Sequence, residues 1–294
     1  MSAVIEPIRV GIESRIPRAE YDPIKSVSIT RLKELRRSPQ HYQYSLEHPK
    51  KSGALTLGIA AHIAVLEPDR FANEFAIWER TTDAGAMAPR RGQHWDAFRA
   101  SCPDMTVLTP KEGGLCQQIA EAVRNDALAI KYLASGDPEV TLLWETMGRQ
   151  CKGRSDWLTR IDGKPYIVGL KTARDCRPFV FGAQCAKLGY HLQFAFYHDG
   201  YEAISGVRPA LVEIVVESAP PHAVAVYRIS DDVLAQGREE YLRLLEVLAR
   251  CEAENYWPGP VPQEEELTLP TWAYTGGDDD IEDLGLIGAE RGNS

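Results

Sequence analysis

The sequence predicts an α/β fold: a mixed central β-sheet flanked by helices, with a helix-rich N-terminal part. Three observations predict it. Residues 140–146, 152–161 and 166–171 are short runs of strand character joined by turns, the last two through Asp162-Gly163-Lys164-Pro165. A helical pattern over 179–203 precedes two more strand runs at 211–216 and 223–229. A long helical pattern then starts at Ser230-Asp231-Asp232 and continues through Leu234, Tyr241, Leu245, Leu248 and Cys251.

Ahead of these runs, residues 1–25 read as an irregular arm. Ser28 stands where an N-cap belongs, for a helix through Leu32 and Leu35 that stops before Ser38-Pro39. Residues 40–48 predict a second short helix ended by Pro49. The apolar, alanine-rich run 55–66 predicts a buried helix closed by Glu67-Pro68, and 80–93 read as a polar, basic loop. Thr109-Pro110-Lys111-Glu112 has the form of a capping box, opening a helix that keeps its spacing through Ile119 and Val123. Trp257-Pro258-Gly259-Pro260 ends the packed body. The organisation is an arm (1–25), one α/β domain (26–263) and an acidic, at least partly disordered tail (264–294).

At 294 residues, 44% of them hydrophobic and 26% charged, the composition is that of a globular protein with a sizeable core. No apolar run reaches the length of a membrane span, and the first 18 residues lack the apolar stretch of a secretory signal. The six cysteines show no CxxC spacing, which predicts reduced thiols and a cytoplasmic protein rather than a zinc or iron–sulfur centre. The net charge of −9 does not exclude nucleic acid: residues 264–294 hold nine acids against one base, so nearly all of it sits in the tail. The body is close to neutral with local basic patches, and DNA binding stays open.

The run Cys151-Lys152-Gly153-Arg154-Ser155-Asp156-Trp157, followed by Gly169-Leu170-Lys171-Thr172, places polar residues where strand cores should be apolar. Gly169 and Lys171 share one strand face, while Val168 and Leu170 take the other. An aspartate on one strand and a lysine on its neighbour can therefore meet. Carboxylates suit a hard cation such as Mg²⁺, and an ammonium can orient or deprotonate an attacking water. Taken alone, His62 reads as a core histidine, Glu139 as a strand-edge charge on the same face as Glu145, and Lys171 as a solvent-facing lysine.

Several separate stretches occur in a telling order: Ser28-Ile29-Thr30-Arg31-Leu32-Lys33 with Ser38-Pro39; Leu57-Gly58-Ile59-Ala60-Ala61-His62 with Leu66-Glu67-Pro68; Arg90-Arg91-Gly92-Gln93-His94-Trp95; Glu139 ahead of Leu143-Trp144; Gly153-Arg154-Ser155-Asp156; Leu170-Lys171-Thr172; and Gln193 with Tyr197. Over residues 26–273 the chain resembles the PD-(D/E)xK nucleases, in particular the phage and prophage 5′→3′ exonucleases of the exonuclease VIII (RecE) type. The resemblance implies a restriction-endonuclease-like core. It also implies metal carboxylates at Glu139 and Asp156, a catalytic lysine at Lys171, a histidine beside the metals at His62 and a helix motif at Gln193 and Tyr197. These last two are i,i+4 neighbours, able to reach one site. Implied with them are Mg²⁺, for which Mn²⁺ can substitute, linear duplex DNA ends as substrate, a single-strand annealing partner and a ring-like homo-oligomer in a bacterial cytoplasm. Arg31, Lys33, Arg36, Arg37, Arg90, Arg91 and Arg154 are candidate phosphate contacts, although a solvated helix face explains any one of them.

One departure stands out. Where the family has an acid two residues before the lysine, this chain has Gly169. A glycine offers a metal only its carbonyl. The sequence therefore leaves three readings: an inactivated variant, a dead homologue, or compensation by another acid such as Glu145 or Asp175. The first two are the expectation, which keeps a non-cutting DNA-binding module and a structure-specific endonuclease open beside the exonuclease.

Overall fold

The computed structural model describes residues 10–13, 16–48 and 53–269. In chain order the strands are β1 (Gly11–Glu13), β2 (Val27–Ser28), β3 (Phe75–Ile77), β4 (Thr106–Leu108), β5 (Asp137–Thr146), β6 (Arg149–Ile161), β7 (Lys164–Ala173), β8 (Ala210–Glu217) and β9 (Val224–Arg228). The helices are α1 (Arg18–Tyr21), α2 (Ile29–Leu32), α3 (Pro39–Glu47), α4 (Gly53–Leu66), α5 (Pro68–Glu74), α6 (Gln93–Ser101), α7 (Pro110–Asn125), α8 (Ala127–Leu133), α9 (Pro178–Leu188), α10 (Tyr190–Ser205) and α11 (Asp231–Glu254). A 3-10 turn over Lys33–Arg36 continues α2.

The two predicted hairpins form the middle of the sheet. Strand order is β1-β5-β6-β7-β8-β9, with β2 added beside β6. Pairing is antiparallel from β1 to β7, parallel between β7 and β8, and antiparallel again to β9. The parallel step follows from chemistry in the sequence: α9 and α10 lie between β7 and β8 and supply the crossover a parallel pair requires.

Each face of the sheet buries its own helical layer. On one face Leu142, Trp144, Ile167 and Leu211 pack against Leu192 and Phe196 of α10 and Leu244 and Leu248 of α11. On the other, Val168, Leu170, Val212, Ile214 and Val216 meet Ala60, Ala61 and Ala64 of α4 and Ile119 and Val123 of α7. The helix boundaries have local causes. Thr109 and Glu112 form the expected reciprocal capping box on α7, and the Ser230 side chain accepts the Val233 N–H at the start of α11.

Three expectations change, and a fourth is not reached. The helical run 179–203 is two helices, because Gly189 turns left-handed at φ +65° and caps α9. The helix expected from Ser28 is one α-turn passing into a 3-10 turn, and the Ser28 side chain makes no capping bond. The arm is not irregular throughout: β1 pairs with β5 and β2 with β6. Strands of two or three residues carry no readable period, so only their distant partners define them. Finally, the tail expected to be disordered falls, from residue 270 on, outside the described residues.

The arm is also held by side chains. The buried Lys152 ammonium donates to the Tyr21, Asp22 and Ile24 carbonyls at 2.9, 3.1 and 3.0 Å. Arg154 donates to the Ile16 carbonyl and lies 4.1 Å from the centre of the Tyr21 ring. Part of the polar face of β6 therefore serves the arm. Burial pushes the Lys152 pKa down to about 8.

Helices α10 and α11 are in close contact at Gly237, where a Cβ would lie 2.1 Å from the His191 carbonyl oxygen. Backbone cannot yield there as a side chain tip can. Gly237→Ala should therefore destabilise the domain by about 1–3 kcal/mol, read as a lower urea midpoint; an unchanged midpoint would show that the helices slide apart at no cost.

Candidate active site

The site begins where the sheet forks. Strands β6 and β7 are in register from Ile161↔Lys164 to Trp157↔Val168, and there the ladder stops. At Cys151 and Lys152 the same edge of β6 pairs with β2 instead. Between the two partners lies the stretch from Gly153 to Asp156. In the fork, Asp156 Oδ2 accepts the Leu170 N–H at 2.9 Å, taking the place of a ladder carbonyl, and lies 3.3 Å from Lys171 Nζ. The aspartate and lysine expected to meet do so.

Helices reach the fork from both faces. From α4, His62 Nδ1 lies 4.0 Å from Asp156 Oδ2. From α10, Gln193 and Tyr197 border the fork floor together with Asp156 and Lys171. Gly153 makes room for Tyr197: a Cβ there would sit 2.6 Å from the tyrosine ring. Glu139 lies on β5 opposite Asp156, between the pairs Pro138↔Trp157 and Val140↔Ser155, where the ladder is interrupted without a change of register, and it adopts φ +52°. A non-glycine residue in the left-handed region inside a strand carries strain of about 1–3 kcal/mol. Its carboxylate is 3.3 Å from Arg154. Glu139, Arg154, Lys171, His62 and Gln193 all line one cleft of about 350 Å³, which Arg18 and Arg70 also border.

The charges are strongly coupled. Burial alone would push the Lys171 pKa down, but Asp156 and Glu213 more than offset it and hold the ammonium above the usual lysine range. Burial favours protonation of Asp156, yet Lys171 and His62 outweigh it and keep the group below the usual carboxylate range. Burial lowers the His62 pKa and Asp156 offsets this only in part, so the imidazole is neutral near pH 7. Burial, then the Asp156 charge, raises Glu139. The same two causes push Tyr197 to about 12.

One residue at this site was not foreseen. Glu213 is the parallel partner of Gly169 across β7 and β8, so both lie on the Lys171 face. Its side chain is 3% exposed, with Oε1 in an ion pair 3.2 Å from Lys171 Nζ. The signal in the sequence was a single acid inside the apolar run Leu211-Val212-Glu213-Ile214-Val215-Val216, where a fully buried strand should carry none. The acids first considered as compensation are elsewhere: Asp175 is paired with Arg177, and Glu145 is an exposed residue near the far end of β5, opposite Gln150.

The candidate phosphate contacts divide. Lys33 and Arg36 donate to the Leu188, Lys187 and Ala186 carbonyls, and Arg36 also pairs with Glu240, so both cap the C-terminus of α9. Arg154 joins the arm to Glu139. Arg37 sits beside Glu34 at 3.7 Å, and Arg31 is half-buried on α2. Arg90 and Arg91 are exposed, with Arg90 lying over Trp95. The fork holds the carboxylates of Asp156 and Glu213, both in contact with Lys171, with Glu139 on the adjoining cleft wall. These are the donor types a hard divalent cation takes, although among the described residues the ligand atoms of three acids or histidines gather within 4.8 Å at His198, Asp199 and Glu202 and not in the fork.

Residues 28–265 match the family described as a PDDEXK-like domain of unknown function (DUF3799). The chain belongs to this family. No curated protein matches it in sequence. Among solved structures, this PDDEXK-like domain is similar to a "Putative exonuclease" from Eubacterium rectale, with a TM-score of 0.58 and 14% identity over 90% of this chain and 100% of the other. At that identity the likeness shows the fold: a PD-(D/E)xK nuclease fold. SSO0001 (TM-score 0.34, 13% identity, 74% and 75% covered) and VC1899 from Vibrio cholerae (TM-score 0.21, 12% identity, 81% and 62% covered) overlap too loosely to bear on the site.

Burial, opposed by Lys171, pushes the Glu213 pKa up to about 7 from an ordinary value of 4.5. Between those two values the folded state binds more protons than the unfolded state. This group's contribution to stability is therefore greatest in acid and is lost as pH rises from about 4.5 to about 7. In EDTA, the stability of the wild type relative to Glu213→Gln should fall by on the order of 3 kcal/mol across that window in denaturant titrations. A flat difference would show that Glu213 ionises like an exposed carboxylate.

Proposed function

We propose that this PDDEXK-like domain is a metal-dependent exodeoxyribonuclease that degrades one strand of linear duplex DNA from its 5′ end. The observation that carries the reading is the meeting of Asp156 and Lys171 in the fork, on the wall of a cleft that Glu139, His62 and Gln193 also line. Mg²⁺, or Mn²⁺ in its place, would be held by Asp156 and Glu139; when bound it polarises the scissile phosphate and lowers the pKa of a water.

The remaining work falls to side chains of this chain. Lys171, kept charged by its two carboxylate neighbours, orients the attacking water and faces the negative charge that grows on the phosphoryl oxygens. Attack at phosphorus breaks the P–O3′ bond; the water's proton leaves to solvent and the departing O3′ takes one up. The Leu170 N–H and Lys171 fix the orientation of the Asp156 carboxylate, with His62 4.0 Å away on the same wall. Gln193 offers an amide to the phosphate or the water. Arg18 and Arg70 border the cleft, Arg18 beside Asp22 and Arg70 paired with Glu67 and Glu74, so phosphate would have to compete with these carboxylates for them.

The 5′→3′ direction, the release of a 3′ overhang to a single-strand annealing partner, a ring-like homo-oligomer and a cytoplasmic setting rest on the ordered motifs shared with exonucleases of the exonuclease VIII type. Among the described residues no helix is long and apolar enough to cross a membrane.

With Mg²⁺, linear duplex DNA labelled at its 5′ ends should lose label as mononucleotide while closed circular duplex stays intact. Lys171→Ala should slow digestion by about a thousandfold, the scale of one lost transition-state contact. Cutting of the circle would point to an endonuclease; DNA bound but never shortened would point to a binding module.

Binding should depend on phosphates rather than sequence. Affinity for duplex ends should fall steeply with salt, and charge reversal at Arg90 and Arg91 should weaken all sequences about equally. Base-specific loss in those variants would mean that this segment reads a groove.

A further inference from the structure

The nuclease reading leaves one chemical deficit. Two carboxylates hold a divalent cation poorly in this fold when the strand bearing the lysine offers only glycine beside it. The neighbouring strand removes the deficit. Gly169 and Glu213 are partners in the parallel pairing of β7 and β8, so their Cα atoms lie side by side and their side-chain directions agree. An ideal Cβ built on Gly169 would fall 2.2 Å from Glu213 Oε2 and 2.7 Å from its Oε1. The Glu213 carboxylate thus occupies the space that a side chain at 169 would enter. Glycine at that position is the condition for its presence.

Two observations fit this carboxylate to a cation. Its side chain is 97% buried, and its ion-pair partner, the Lys171 ammonium 3.2 Å from Oε1, is shared with Asp156, so a second cation would relieve two buried carboxylates that one ammonium now serves. Beside it lies a small void of about 20 Å³, room for one water-sized particle; its lining is largely apolar (Ile167, Phe194, Leu211) but includes Asp156, Gln193 and Glu213.

We infer that Glu213 is the missing acid: it provides from β8 the carboxylate that the nuclease core otherwise carries two residues before its lysine, and together with Asp156 it holds the divalent cation. The chain is therefore a competent nuclease, neither an inactivated variant nor a dead homologue. This assignment rests on the metal-dependent reading of the same cleft. It also reverses the expectation for Gly169: an acid placed there collides with one already present.

Calorimetric titration with Mn²⁺ tests the assignment directly, with thermal melts in EDTA confirming that each variant is folded. Wild type should take up Mn²⁺. Glu213→Gln, nearly the same shape, should bind it about a hundredfold more weakly or worse, beyond what loss of a supporting contact usually costs. Gly169→Asp alone should lose Mn²⁺ binding as well. Gly169→Asp combined with Glu213→Ala, which moves the carboxylate back to β7, should return to within about tenfold of wild type and digest linear DNA again. Wild-type affinity in Glu213→Gln, or tighter binding in Gly169→Asp alone, would overturn the assignment and leave the nuclease reading standing. A wild type that neither takes up Mn²⁺ nor digests DNA would overturn both.

Discussion

The site depends on one constraint in the sheet: β6 serves two different partners along a single edge. At Cys151 and Lys152 that edge is bonded to β2, and from Trp157 onward it is bonded to β7. Both demands cannot be met at one point, so β6 and β7 separate between them. Separation removes a ladder carbonyl from Leu170, and the Asp156 side chain supplies the missing acceptor. A buried N–H must be paired, so the carboxylate is fixed in the gap by backbone as well as by Lys171. Because the gap opens the sheet to both faces, His62 from α4 and Gln193 from α10 can converge on the same few atoms. An unbroken ladder would leave these two helices on opposite sides of a wall.

The charge pattern shows the site to be a compromise with stability. Lys171 is in ion-pair contact with both Asp156 and Glu213, and Arg154 is engaged with Glu139. The strained φ of Glu139 adds its own cost. A buried ionic network left partly unsatisfied is less favourable than an apolar core of the same shape. The stabilising work is done a strand away, in the two apolar layers and in braces such as Asp199, which accepts from Arg238 and Tyr241 between α10 and α11. Lys152 has a comparable role, exchanging three arm carbonyls for solvation of one buried ammonium. That brace seats the arm bearing Arg18 at the mouth of the cleft.

Much of this was legible in the sequence where periodicity or local chemistry governs. The hairpins around Asp162-Gly163, the capping box at Thr109 and the Ser230 cap all follow from residues within a few positions of one another. Strand parity alone put Lys171 on the Gly169 face. His62, Glu139, Gln193 and Tyr197 were reached through shared motifs, because nothing in their own neighbourhoods distinguishes a cleft residue from a core or edge residue. Long-range pairing was not legible. The arm strands β1 and β2 are too short to show a period. Lys33 and Arg36 carry the same charges whether they meet phosphate or the carbonyl end of α9, and only the tertiary contact decides between them.

Gly169 and Glu213 make the same point in a form specific to catalysis. Reading an acid two residues before a lysine is a statement about one strand: period 2 puts both on one face, about 7 Å apart along the chain. What the chemistry needs is a carboxylate oxygen near Lys171 and Asp156, and a sheet offers a second route to that place. A parallel partner lies about 4.8 Å across the ladder and presents its side chain to the same face. Glutamate has the reach to cross from β8 and lie over the glycine Cα, whereas a side chain on β7 would occupy the same volume. The two arrangements are mutually exclusive sterically and equivalent electrostatically. A glycine in place of the motif acid, which in the sequence looks like a loss, is in the sheet the space that allows the acid to come from the neighbouring strand.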